Sequence, residues 1–142
     1  CIVHGTLPRP AGRLEGYILK DEAKKQVTVS SRPRPGAKTA VTLYETLAVR
    51  NGLSLVRCQL ITGRTHQIRA QFAAAGHPLL GDGKYGSERQ NKRYGRSYQA
   101  LYSYRLEFCF TTDAGALAPL DGQQFQVEQV DFVTEYFPGF SL

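Results

Sequence analysis

Arg64, His66, Gln67 and Arg69 fall within six residues of one another, inside the stretch Leu60-Ile61-Thr62-Gly63-Arg64-Thr65-His66-Gln67-Ile68-Arg69. All four carry planar hydrogen-bonding groups. A guanidinium offers a fixed fork of donors that matches two oxygens at once, so two arginines at this spacing point to a phosphate or a carboxylate. If a helix starts here, its unpaired amide protons and positive dipole end favour the same ligand. Arg69 lies one turn past Thr65, with its base on the edge of an apolar stripe and its head free to reach into a site. A cation so placed lowers the pKa of a neighbouring carboxylate, and its fork fixes the carboxylate plane. Arg64 precedes the helix and is read as facing a backbone phosphate. His66 and Gln67 sit in the first turn, where bonds to loop carbonyls compete with contact to a ligand. For His66 a structural hydrogen bond is favoured over acid–base work.

These groups need a helix and a platform. Thr65 is the candidate N-cap, through a hydroxyl that accepts a first-turn amide proton. Ile68, Phe72 and Ala75 give one apolar stripe, Gly76 suits the left-handed residue after the helix, and Pro78 blocks continuation. Upstream, residues 40–49 alternate in hydrophobicity, Asn51-Gly52 is a strong hairpin signal, and residues 53–61 return as the partner strand. Downstream, Gly81-Asp82-Gly83-Lys84-Tyr85-Gly86 fits a Gly-x-Gly-x-x-Gly spacing. A dinucleotide fingerprint needs a strand before it and a long helix after it, with an acid about 20 residues on. None of these is in place, so the segment is read as a turn. Asp82 is a turn-former, Lys84 a cation beside the site, and Tyr85 a packing or stacking residue. His4, His66 and His77 have no partners at metal-ligand spacing.

The run Thr62 to Arg69, followed by Gly81 to Gly86, resembles the third motif and its sequel in the RluA-like family of RNA pseudouridine synthases. The match is nearly unbroken from Leu60 to Gly86 and extends loosely through residues 98–108. The resemblance implies isomerisation of uridine to pseudouridine within structured RNA. The uridine is flipped out of its helix, and an aspartate breaks the N-glycosidic bond before the uracil rejoins through carbon. Arg69 matches the arginine that pairs with and orients this aspartate. Arg64, His66, Gln67, Lys84 and Tyr85 are the implied RNA-binding residues. Ribosomal RNA is the first expected substrate and transfer RNA the next, with no metal or organic cofactor.

The family draws its aspartate from a His-Arg-Leu-Asp motif that is absent from these 142 residues. Gly12-Arg13-Leu14-Glu15 and Tyr104-Arg105-Leu106-Glu107 have Glu in place of Asp and lack the preceding His. The family's active-site tyrosine would fall just ahead of Cys1. The chain is therefore read as a C-terminal piece of a catalytic domain, inactive alone. A basic RNA-binding module that has kept the scaffold without the chemistry is the rival reading. A phosphate-ligand enzyme built on Gly63 and the helix start is a distant third.

Composition fits this picture. Eighteen Lys and Arg against twelve Asp and Glu give a net charge of +6. The cations cluster in residues 20–38 and again at Arg89, Lys92, Arg93 and Arg96, which suits a polyanionic partner. Hydrophobic residues make up 42% of the chain, enough to argue against disorder. Three separated cysteines suggest neither a zinc site nor a disulfide framework, so the cytoplasm is the expected compartment. No apolar run approaches the roughly 18 residues of a membrane span.

The remaining elements are short. Strands are expected near residues 1–5, 13–19, 27–30 and 125–130, and one within 98–110 entered from a helical turn. A loop is expected over 31–36, a loop or frayed helix over 87–95, and a helix over 131–137. The fold class is α+β, a mixed and mainly antiparallel sheet with a few short helices, read as one domain over residues 1–142.

Overall fold

Asn51 and Gly52 both adopt positive φ, 52° and 75°, the conformation of a two-residue hairpin turn whose twist matches its strands. In the computed structural model, which describes residues 1–142, this turn joins the longest strand, of 13 residues, to its antiparallel partner of eight. Of the seven strands, β1 is Ile2–His4, β2 Ala11–Asp21, β3 Gln26–Ser30, β4 Lys38–Arg50, β5 Leu53–Leu60, β6 Arg105–Glu107 and β7 Gln124–Gln126. Of the three α-helices, α1 is Gln67–Ala74, α2 Glu88–Arg93 and α3 Asp131–Tyr136. The first five strands form one sheet in the order β1-β5-β4-β2-β3, with every pairing antiparallel. The chain divides into two compact units, Cys1–Leu101 and Tyr102–Leu142.

In the first unit α1 packs on the sheet. Phe72 is fully buried and joins Val3, Leu7, Val56 and Leu79 in one core cluster, while Ala70 joins Ile18, Val27 and Ala40 in another. Both sheet edges are occupied. The outer side of β1 bonds to residues 78–80 and Ala100. On β3, the Val27 amide donates to the Tyr85 hydroxyl at 2.9 Å. These contacts protect strand edges from pairing with another chain, and they also fix the glycine-rich turn against the sheet.

Helix α1 departs from the expected stripe. Its buried residues are Gln67, Ala70, Gln71 and Phe72, whereas Ala75 is exposed. The sheet beneath explains the difference, because main-chain carbonyls face the helix and need donors. Gln67 donates to the Val41 carbonyl at 3.0 Å, and Gln71 donates to those of Ala40 and Leu14 at 3.1 and 3.2 Å. Two glutamines therefore fill positions that an apolar pattern would assign to leucine. The helix ends as expected. Gly76 has φ +84°, and the bonds Gly76 N–H to Ala73 O and His77 N–H to Phe72 O complete a Schellman motif.

In the second unit β6 pairs with β7, setting Leu106 opposite Phe125, and Phe108 meets Phe125 edge to face at 6.1 Å. The strand expected within residues 98–110 is confined to Arg105–Glu107. The segment before it is held differently, by single bonds from the Ile2 amide to the Ala100 carbonyl and from the Ala100 amide to Leu80. A 3₁₀ helix over Gly115–Leu120 has no counterpart in the hydrophobic pattern. No helix is long and apolar enough to cross a membrane, and all three cysteines are free thiols.

Candidate active site

The start of α1 is built without the expected cap. His66, not Thr65, occupies the N-cap position, in a left-handed conformation with φ 52° and no side-chain cap bond. Gln67 replaces the cap from inside the first turn. Its carbonyl oxygen accepts from the Arg64 amide at 2.9 Å and from the Thr62 hydroxyl at 2.8 Å. Its amide nitrogen donates to Val41 O and to the Thr42 hydroxyl at 2.9 Å. Gln67 is only 3% exposed, so its polar atoms are engaged inside the protein. Of its two expected roles, contact with RNA or bonds to nearby carbonyls, the bonds present are the second, and Gln67 fastens the helix start to the sheet.

Arg69 emerges from the next turn and meets Asp82. Its Nε donates to Oδ2 at 2.7 Å and its Nη2 to Oδ1 at 2.8 Å, a two-point fork that fixes both planes. The Asp82 Oδ1 also accepts the backbone amides of Lys84 and Tyr85 at 2.9 and 3.0 Å. Asp82 is fully buried, and the Arg69 side chain is only 13% exposed. Burial pushes the Asp82 carboxyl up, but the Arg69 fork and the two amides more than offset it and hold the pKa below the ordinary carboxylate value. The sequence reading aimed Arg69 at a carboxylate from outside the chain. In the structure Asp82 takes that fork, while no bond engages Nη1.

Asp82 is thus the residue that sequence reasoning underweighted. Its turn-forming role is present, through the amides two and three residues on. Its ion pair across 13 residues had one available signal: a helix arginine beside an apolar stripe needs a buried counter-charge. The turn is held further by Asn91, whose side chain accepts the Gly81 amide at 2.8 Å and donates to the Asp82 carbonyl at 3.2 Å. Gly81 is required here. Its φ is +78°, and a Cβ would lie 2.0 Å from the Tyr98 carbonyl oxygen.

The Arg69 guanidinium lies 5.2 Å from the centre of the Tyr85 ring, within cation–π range. The Tyr85 hydroxyl accepts from Val27 and contacts His66 Nδ1 at 2.8 Å. With that oxygen accepting the Val27 amide, its own proton is available to Nδ1, which leaves the imidazole proton on Nε2. His66 has a lowered pKa, first because of burial and then because of the Arg69 and Lys84 cations, with Asp82 opposing. It therefore stands as a neutral ring beside a guanidinium. Lys84 is exposed, and its ammonium donates to the Lys25 carbonyl at 2.7 Å. Arg64 is exposed as well, with its Nε on the Thr39 carbonyl at 2.9 Å. Arg69, Asp82, Tyr85, His66 and Lys84 thus form one cluster. Arg64 stands on the start of β4, and Gln67 lies beneath.

No group of three or more His, Cys, Asp or Glu residues is placed to hold a metal ion. Chemically, the cluster offers a positioned guanidinium edge, a neutral imidazole and an aromatic ring under a basic rim. Such groups could hold an oxyanion and stack on a planar heterocycle.

Comparison with known proteins agrees. A family model described as RNA pseudouridylate synthase matches residues 1–74. Ribosomal large subunit pseudouridine synthase D of Zymomonas mobilis is 37% identical over 129 residues, covering 90% of this chain and 38% of that protein. The uncharacterized RNA pseudouridine synthase YlyB of Bacillus subtilis is 37% identical over 107 residues, covering 75% of this chain and 33% of that protein. The chain thus spans little more than a third of these curated relatives. Human RNA Pseudouridylate Synthase Domain Containing 1 superposes with a TM-score of 0.64 at 20% identity, over 94% of this chain and 62% of that one, a likeness of fold. With an α+β fold built on an antiparallel sheet and the Thr62–Arg69 motif heading its helix, the chain belongs to the RNA pseudouridine synthase family.

Proposed function

We propose that this chain supplies the arginine half of a pseudouridine synthase active site, acting on uridine in structured RNA, with ribosomal RNA as the first candidate. The observation that carries the reading is the Arg69 guanidinium. Asp82 sets its plane through Nε and Nη2, and the remaining Nη1 edge suits the nucleophilic aspartate of a His-Arg-Leu-Asp segment. That segment is not among these residues. The target uridine is flipped from its helix, and the aspartate breaks the N-glycosidic bond while Arg69 keeps the carboxylate ionised and aimed. Arg64 and Lys84 neutralise phosphates, so affinity falls with salt. His66 and Tyr85 face the RNA beside them. Alone, the 142 residues bind RNA weakly and form no pseudouridine.

A chimera tests this reading. The chain replaces the matching stretch of the Zymomonas synthase D, and pseudouridine in a ribosomal RNA transcript is measured by mass spectrometry. The chimera is expected to form pseudouridine, and its Arg69→Ala variant to lose activity while remaining folded. A folded chimera without activity, or one indifferent to Arg69→Ala, refutes the assignment. Pseudouridine made by the isolated chain refutes the division of the site.

A further inference from the structure

Of the second basic cluster of the sequence, Arg93 lies outside the Arg69 site and borders a groove of its own. A cavity of about 300 Å³ lies between the end of β1, the Asn51-Gly52 turn and α2, bordered by Gln90, Arg93 and Tyr94. No carboxylate lines it. Arg93 is exposed and pairs with no acid, and its guanidinium lies 5.8 Å from the centre of the Tyr94 ring. That ring is itself fixed. Its hydroxyl donates to the Asn51 carbonyl at 2.8 Å, and the buried His4 ring packs on it at 5.6 Å. The groove therefore places the Arg93 cation against a fixed aromatic ring, with Gln90, Asn51, Gly5 and Gly52 among its lining residues.

The groove also shares a support with the Arg69 site. His4 Nε2 bonds the Asn91 side chain at 2.9 Å, and the same Asn91 binds Gly81 and Asp82. Gln90 and Arg93 sit on the helix that Asn91 pins, so a ligand in the groove is held in fixed relation to the turn that positions Arg69.

We propose that this groove binds one nucleotide of an RNA strand, away from the reacting uridine. Arg93 takes its phosphodiester, and the Gln90 and Asn51 amides take ribose hydroxyls or a base edge. The volume suits a single nucleotide and lies at the low end of ligand-site sizes. The chemistry is that of a planar donor fork for phosphate with neutral amides beside it. The proposal rests on the RNA reading above and adds a second contact to it.

The test uses the 142-residue chain, titrated with a five-residue oligouridylate and separately with uridine monophosphate, and followed by amide chemical shifts and fluorescence anisotropy. The oligonucleotide is expected to shift the Gly52, Gln90 and Tyr94 amides. The Arg93→Ala/Gln90→Ala variant is expected to weaken binding about ten-fold and lower the salt slope by about one. Lys92→Ala, on the same helix, serves as the control for nonspecific charge loss. RNA binding with unchanged affinity and salt slope in the double variant overturns the groove and leaves the RNA reading standing. Shifts confined to His66 and Lys84 do the same. Mononucleotide binding as tight as the oligonucleotide's overturns the strand in favour of a free nucleotide. No RNA binding by the unaltered chain overturns both readings.

Discussion

Replacing Asp82 separates its part in stability from its part in orientation. In Asp82→Ala the Arg69 guanidinium, 13% exposed, loses its fork, and the Lys84 and Tyr85 amides lose their acceptor. Breaking a buried ion pair from one side costs about 3–5 kcal/mol, a large share of the roughly 5–15 kcal/mol that holds a domain. Asp82→Asn is gentler. Its side-chain oxygen can still accept the two amides and Arg69 Nη2, but its NH2 group replaces the acceptor of Arg69 Nε, so the cost is at least that of a lost charge-assisted bond, about 1.5–3 kcal/mol. Glu88→Gln breaks an exposed pair and serves as the control, expected to unfold at the same urea midpoint as the parent. The assay is urea unfolding followed by circular dichroism across a pH series. Because the folded pKa of Asp82 is depressed, its contribution is complete above the unfolded carboxylate pKa, near 4, and is lost as pH falls through the lower folded value. The gap between parent and Asp82→Asn should therefore hold from pH 8 to about 6.5 and begin to narrow only as pH falls through about 4, closing further toward the depressed folded value. A parent and Asp82→Asn of equal stability at pH 7, or a gap that does not narrow at all as pH falls below 4, refutes the ion-pair account.

Two further outcomes follow from neighbouring groups. The His66 imidazole should titrate below 6.5 in an NMR pH series, moving up in Lys84→Gln and down in Asp82→Asn, since Lys84 lowers and Asp82 raises its pKa. The linked stability falls as pH drops below 6.5, where the unfolded imidazole takes a proton that the folded one resists. Gly81→Ala should destabilise by about 2–4 kcal/mol in urea, through overpacking against Tyr98 added to a left-handed backbone. Gly76→Ala, with φ +84° but open space around it, should cost only about 1–2 kcal/mol.

The sequence reveals this fold best where a local rule has one solution. Asn51-Gly52 dictates a hairpin, and Gly76 before His77-Pro78 dictates a helix stop. In both places backbone sterics decide, without help from the tertiary structure. The reading fails where a distant partner decides. Thr65 had the chemistry of a cap, yet Gln67 reaches back to the Arg64 amide and leaves Thr65 exposed. Gln67 stood open between a ligand and nearby carbonyls, and Gln71 gave no signal of its own. Their burial depends on the carbonyls of Ala40, Val41 and Leu14 beneath them, which no pattern within the helix discloses. The same holds for Asn91 in the basic segment 87–95, whose side chain joins His4 to Gly81.

The partner of Arg69 is where that long-range term changes the chemistry. A bare guanidinium would depress the pKa of any carboxylate set beside it. Here Asp82 already balances the charge, and its depressed pKa keeps it ionised at neutral pH. A second carboxylate at Nη1 therefore meets a nearly neutral pair, which supplies directional hydrogen bonds with little net field. On the proposed reading such a carboxylate is aimed and kept ionised by those hydrogen bonds, under a weaker pull than a bare cation would exert. In an active form of the enzyme, Asp82→Asn would remove the balancing charge and strengthen the pull on the nucleophile. On the proposed reading, Arg69 would orient its target carboxylate because Asp82 both fixes the guanidinium plane and moderates its charge.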